Sequence, residues 1–177
     1  MIGNRRKGLI RMIILIAILV VIIGIWIVKN HQRDNYNQEA ITENPDFALE
    51  SASLNLDKLK SYGLPIIIDF GADSCPPCKE MEPILRELHA EYQGKVIIKY
   101  YDVWKDPSLA EGFPVQVVPT QFFFDQDGKP YNPLDTETML IYTLKTTNEH
   151  VYTAHEGYMS KEMFLEIFKE MGVSVID

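Results

Sequence analysis

The chain has 177 residues, 46% of them hydrophobic, and a formal net charge of −8. The charge is uneven: residues 1–33 carry six Lys or Arg (Arg5, Arg6, Lys7, Arg11, Lys29, Arg33) and no Asp or Glu, leaving 11 basic against 25 acidic residues beyond them. An acidic body has little with which to neutralise phosphates, which argues against nucleic acid as a partner, and two cysteines allow one disulfide at most, so the fold must rest on its hydrophobic core.

Residues 1–8 form a basic tail. Met12 to Val28 is an uninterrupted run of uncharged, almost wholly apolar residues, and Leu9 and Ile10 extend it if Arg11 snorkels to the interface. Residues 9–28 as a helix would span about 30 Å, the thickness of bilayer hydrocarbon. The stronger positive flank precedes the run, so the N-terminus is expected in the cytoplasm and the remainder outside. A cleaved signal peptide fits less well, because no small-x-small site follows. With no cysteine at its end the segment is not a lipoprotein signal. An uncleaved signal anchor is therefore expected, followed by a polar tether over 29–46 and a folded body over 47–177.

In the body, Leu54 to Leu59 reads as a short helix stopped by Gly63 and Pro65. Ile66 to Phe70 is a buried strand. Pro76 to Tyr92 is a helix with Met81, Ile84, Leu85 and Leu88 on one face and Pro83 inside it. Val96 to Val103 is a second strand. Asp106 to Glu111 is a short helix capped by Asp106, and Thr120 to Phe124 is a third strand closed by a turn at 125–128. Met139 to Lys145 and His150 to His155 are two more strands, and Ser160 caps a last helix that ends at Gly172. Strands alternating with helices give an α/β fold, a mixed sheet with helices on both faces.

The two cysteines are Cys75 and Cys78, placed between the first strand and its helix. A C-x-x-C there reads as a redox motif. A helix start offers unpaired N–H groups and the positive end of the macrodipole, both of which favour the nucleophilic thiolate. The second cysteine, one turn on, is placed to attack the first sulfur. Half a zinc site is the alternative, but a structural site needs four ligands and the four histidines show no ligand spacing. Asp69, on its own, reads equally as a buried Asp of raised pKa or as a strand end facing water. Lys99 reads as a solvated strand residue and Pro119 as an edge proline. Tyr100, Tyr101 and Trp104 read as core and rim packing.

Taken together, Ile66 to Phe70 with Asp69, Cys75-Pro76-Pro77-Cys78-Lys79, Pro83 and Val118-Pro119-Thr120 resemble the thioredoxin superfamily over about Leu54 to Gly172. The resemblance implies a thioredoxin fold and thiol–disulfide exchange with no cofactor and no metal. Cys75 is then the attacking thiol, Cys78 the resolving one, and Asp69 its proton acceptor. Lys99 would lie near Asp69. Pro119 would follow a cis bond, with Val118 offering its backbone to a client peptide and Ser74, Pro76 and Pro77 beside it. Gly157 matches a Gly before the last helix. Ser74 stands where the family keeps a Trp, Pro76 where cytoplasmic thioredoxins keep a Gly, and Val117 where many relatives keep a Gly. The segment 129–149 is longer than the expected hairpin and is a candidate for an added strand or lip.

The address and the resemblance together suggest a membrane-anchored reductase of exported clients, recharged by a membrane thiol carrier that passes electrons across the bilayer. The tether and the absence of a helical insertion after Val103 favour a reductant over an exported oxidase or isomerase. A copper-handling module using Cys75, Cys78 and a downstream histidine such as His155 is the reading from another class.

Overall fold

The structure, a computed structural model, describes Gly24 and residues 44–175. The chain divides into two units, Met1–Ala40 and Ile41–Asp177. The expected anchor over 9–28 and the tether up to residue 43 lie outside the described residues, Gly24 apart. Among the described residues no helix is long and apolar enough to cross a membrane.

The body begins earlier than residue 47. Asn44 caps a 3₁₀ turn, Pro45–Phe47, by accepting the Asp46 N–H. Its amide donates to the Tyr62 hydroxyl, and Phe47 is buried. Residues 44–46 are therefore part of the fold rather than of a tether. Helix α1 (Leu56–Lys60) is capped by Asn55, whose side chain accepts the Lys58 N–H.

Strand β1 (Ile66–Gly71) is an interior strand of a five-stranded sheet, second from one edge, and is buried along its whole length. It pairs in parallel with β2 (Ile97–Asp102) and antiparallel with β3 (Thr120–Phe124). Beyond β3 come β5 (His150–Glu156) and β4 (Leu140–Thr143), so the order is β2-β1-β3-β5-β4. A parallel neighbour needs a crossover, and α2 (Pro76–Glu91) supplies it. The expected short helix after β2 is a 3₁₀ turn, Pro107–Ala110, with Asp106 capping it as its side chain suggests. The segment 129–149 adds β4 as an outer edge strand, with Leu140 and Ile141 about two-fifths exposed. A final helix, α3 (Lys161–Glu170), is capped by Ser160 and followed by Gly172 at φ 80°.

Strand side chains alternate between faces. Ile67, Ile98 and Phe123 meet Met81, Leu85 and Leu88 of α2 and Phe164, Ile167 and Phe168 of α3. Ile66, Ile68, Phe70, Ile97 and Phe122 point the other way, toward Phe47 and Leu59. Asp69 belongs to the first face and Lys99, which pairs with Ile68, to the second.

Candidate functional site

Strand β1 runs into the loop 72–74 and then into α2, so Cys75 is the cap residue of that helix and Cys78 lies in its first turn. Both cysteines are free thiols, and both are buried, at 5% and 4% exposure, in a small cluster with Ala72 and Val118. The helix begins Pro76-Pro77. Neither proline has an N–H, so the donors expected at a helix start are reduced to those from Cys78 onward. Ser74 and Pro76 are exposed and Pro77 half-buried around the thiol.

The Cys75 thiol lies 3.6 Å from the carbonyl oxygen of Val118 and donates to it. The Val118–Pro119 bond is cis. Two hydrogen bonds hold this loop: Thr120 Oγ1 donates to the Val117 carbonyl at 2.8 Å, and the Gly157 N–H donates to the Pro119 carbonyl at 2.8 Å. Gly157 takes φ 103°, a conformation that favours glycine there. Val117 is half-exposed next to the same loop.

Burial pushes the Cys78 thiol well above its ordinary pKa, and its hydrogen bond with Cys75 adds to this; the Ala72 backbone opposes both. The negative charges of Cys75 and Asp69 also keep it protonated. Cys78 is thus a poor nucleophile until Cys75 is engaged elsewhere and a base takes its proton.

Asp69 is fully buried on the same face of the sheet as α2. Desolvation raises its pKa to about 7, against the pull of one hydrogen bond from Gln121 Nε2 to Oδ1 at 2.8 Å. Its other oxygen, Oδ2, is the only fully buried side-chain polar atom among the described residues without a partner. A carboxyl with one oxygen free and a pKa near neutrality can both take and return a proton.

Lys99 does not lie beside Asp69. Its ammonium sits on the opposite face of the sheet and donates to the backbone carbonyls of Asp46 (3.4 Å) and Ala48. Burial lowers its pKa to about 8. The expectation fails by one position in the strand, because the residue in register with Asp69 is Tyr100. Burial drives the Tyr100 phenol far up, with Asp102, Asp73, Asp69 and Cys78 adding to the shift. The Tyr100 ring lies across Gly71, where a Cβ would come within 2.6 Å of Cε2. Tyr101 is core, as expected, but Trp104 is 62% exposed rather than packed.

Sequence reasoning also passed over Asp102 and Gln121, and weighed His155 only as a copper ligand. Asp102 Oδ2 accepts the Asp73 N–H at 3.0 Å, and Oδ1 accepts those of Trp104 and Lys105, which ties the loop before Cys75 to the end of β2. Burial works against ionising Asp102, but those backbone donors outweigh it and hold its carboxyl below the usual range. His155 Nδ1 lies 3.0 Å from Gln121 Oε1. The available signal was a long polar side chain directly before Phe122-Phe123-Phe124, Gln121 in the strand Thr120–Phe124.

The thioredoxin family profile matches residues 49–145. The thioredoxins of Staphylococcus aureus strains COL and MW2 are each 44% identical to this chain over 64 residues, 36% of this chain and 61% of the relative. The chain thus matches about three-fifths of the length of these relatives. A mutant thioredoxin from Halobacterium salinarum superimposes with a TM-score of 0.51 at 23% identity, over 75% of this chain and 97% of that one, a likeness of fold. With its profile spanning more than half of the sequence, the chain belongs to the thioredoxin family.

Proposed function

We propose that the chain is a membrane-tethered, extracytoplasmic thiol–disulfide oxidoreductase that reduces disulfides in exported clients. The observation that carries the chemistry is the Cys75 thiol resting on the Val118 carbonyl beside cis-Pro119, with Cys78 buried behind it on the face of Asp69. A client peptide extended along residues 117–119 would bring its disulfide to Cys75.

The Cys75 thiolate attacks one client sulfur, forming a mixed disulfide and releasing the other as a thiolate. Cys75 has now lost its negative charge and its hydrogen bond with Cys78, two of the causes that kept Cys78 protonated. Asp69 takes the Cys78 proton. The Cys78 thiolate attacks Cys75, a Cys75–Cys78 disulfide forms, and the second client thiolate leaves. The client gains two electrons and the protein loses two. Protons from Asp69 and solvent complete the client dithiol.

The address rests on the apolar run 9–28 with its basic flank. The short connection after β2, only the turn Pro107–Ala110 before β3, supports a thioredoxin-like reductant over an oxidase with a helical insertion. Recharging from the cytoplasm then calls for a membrane thiol carrier. The copper reading needs a third ligand, and His155 Nδ1 is directed at Gln121.

The test is Cys78→Ser in the full-length chain. It should accumulate Cys75 mixed disulfides with exported proteins, and a membrane-impermeant alkylating reagent should label Cys75 in intact cells. Clients that are cytoplasmic, or a thiol that is shielded until the cells are broken, would overturn the address. A potential near the ~−120 mV of strong oxidants, rather than toward about −270 mV, would overturn the direction.

A further inference from the structure

Three side chains in the sheet behind the dithiol form a hydrogen-bonded row. Asp69 on β1, Gln121 on β3 and His155 on β5 are neighbours by strand register. Gln121 Nε2 donates to Asp69 Oδ1 at 2.8 Å, and Gln121 Oε1 meets His155 Nδ1 at 3.0 Å. Asp69 and Gln121 are fully buried, and His155 keeps 7% of its surface, so the row runs from beneath the dithiol toward water. A buried amide and imidazole in an apolar sheet are costly unless satisfied, and here each satisfies the next.

The chemistry of the groups sets the direction of the row. An amide presents its NH₂ on one side and its carbonyl on the other. With the NH₂ turned to Asp69, the carbonyl faces His155 and can only accept. Nδ1 must therefore carry a proton, which defines the imidazole tautomer. If the amide turned over, its carbonyl would face the carboxylate and that contact would be repulsive, whichever tautomer the imidazole took. The carboxylate thus sets the orientation of the amide, and the imidazole, as the Nδ1–H tautomer, secures the amide carbonyl on the other side.

A neutral amide is a poor proton conductor, so the row is not a wire. What it does is leave the two carboxyl oxygens of Asp69 unequal. Oδ1 is held by an N–H, whereas Oδ2 has no partner.

We propose that Gln121 and His155 are positioning residues for Asp69: the imidazole holds the amide by its carbonyl, and the amide occupies one carboxyl oxygen so that the other is the one that exchanges a proton with Cys78. This rests on the oxidoreductase reading above for its purpose, though not for its geometry. The titratable groups that bear on Asp69 are the Cys78 thiol from α2 and the Tyr100 phenol from β2. Glu156, on its own strand, bears on His155. Helix α3 presents apolar Phe164, Ile167 and Phe168 to this layer.

The experiment uses the full-length chain and an aromatic disulfide that releases a coloured thiolate at each step. The first release reports Cys75 attack, and the second reports Cys78 attack. Gln121→Leu removes the donor to Oδ1, and Asp69 should then ionise about one pH unit higher. At pH 7 the second release should slow about fivefold with the first unchanged, and it should recover by pH 9. One unit is a tenfold change in the proton equilibrium. Gln121→Glu, nearly isosteric, should shift the profile further the same way and serves if the Leu variant folds poorly. His155→Leu should give a smaller shift, and His155→Asn, whose amide N–H can replace Nδ1–H, should return the profile to within twofold of native.

Second-step profiles of folded Gln121 and His155 variants that superimpose on the native one would overturn the proposal. A His155→Asn variant that behaves like His155→Leu would overturn the role of the imidazole hydrogen bond. If no variant and not even the native chain reduces the probe, the oxidoreductase reading falls instead. The Asp69 carboxyl titration followed by NMR still decides the positioning.

Discussion

The sheet buries one carboxyl and one ammonium, on opposite faces, and treats them differently. Lys99 is 1% exposed, and its ammonium is met by the carbonyls of Asp46 and Ala48. Its charge is buried but answered, and it pins residues 46–48 to β2. Asp69 is equally buried, yet one of its oxygens is answered by nothing. A missing partner is costly, and a sheet that satisfies its lysine could have satisfied its aspartate. The incomplete group lies on the face of the dithiol and the complete one on the face away from it. The orphaned oxygen, rather than burial, is therefore what distinguishes the aspartate from the lysine and supports the role proposed for it.

The largest effect should come from separating the two by substitution. Asp69→Asn removes the proton acceptor and should slow the second, Cys78-dependent release by about 10²-fold at pH 7, the low end for loss of a positioned base. Lys99→Met should leave both releases within twofold of native. A Lys99→Met variant slowed as much as Asp69→Asn would erase the distinction between the faces.

Stability against pH should show the same division with opposite signs. Asp69 ionises at about 7 in the fold against 3.8 ordinarily. Between these values the folded state holds the extra proton, so stability falls as pH rises from about 4 to 7 and is level above. Three units correspond to roughly 4 kcal/mol as an upper bound. Lys99 ionises at about 8 against 10.5. There the unfolded state holds the extra proton, so stability rises from pH 8 toward 10.5. Denaturant titrations of Asp69→Asn should lack the first slope and those of Lys99→Met the second. Retention of the acid-side slope in Asp69→Asn would show that another group produces it.

The same faces explain what the sequence could and could not tell. The strand, the C-x-x-C, the capping of the last helix by Ser160 and the Val118-Pro119 loop depend on neighbours within a few residues, so their types and spacing announce them. Sidedness does not. Ile97-Ile98-Lys99-Tyr100-Tyr101 has no clean alternation, and a shift of one residue puts Lys99 or Tyr100 beside Asp69. Gln121 and His155 are 34 residues apart and meet only because β5, not β4, pairs with β3. The inserted edge strand hides that adjacency, which a tight hairpin would have made plain.

A smaller effect tests the packing on the Asp69 face. Gly71→Ala puts a Cβ within 2.6 Å of the Tyr100 ring, and the ring is held between β1 and the Asp73 carboxylate at 3.4 Å from its hydroxyl. Overpacking of this kind should cost about 1–3 kcal/mol. Tyr100→Leu should recover most of it in the double variant. Thermal melts that add the two losses, rather than cancel them, would show that the ring does not occupy that space.

The smallest effect belongs to the Lys99 face. Asp46 accepts a hydrogen bond from Tyr62 and pairs with Lys58 at 2.7 Å, and these two contacts, the Lys58 one first, hold its carboxyl below the usual range. It also offers Lys99 its backbone oxygen. If the buried ammonium were balanced by the Asp46 carboxylate, Asp46→Asn would strand a charge and cost several kcal/mol. If the backbone carbonyls answer it, the loss is chiefly the pair with the half-exposed Lys58, with a lesser through-space attraction to Lys99, and such exposed pairs are worth about 0–1 kcal/mol. The geometry favours the second case, because it is the carbonyl oxygens that Nζ reaches. Urea midpoints for Asp46→Asn should therefore move by no more than about 1 kcal/mol allows, with the stability rise above pH 8 still present. A loss several times larger would mean that Lys99 depends on a carboxylate after all, and that the two buried charges are answered less differently than their contacts indicate.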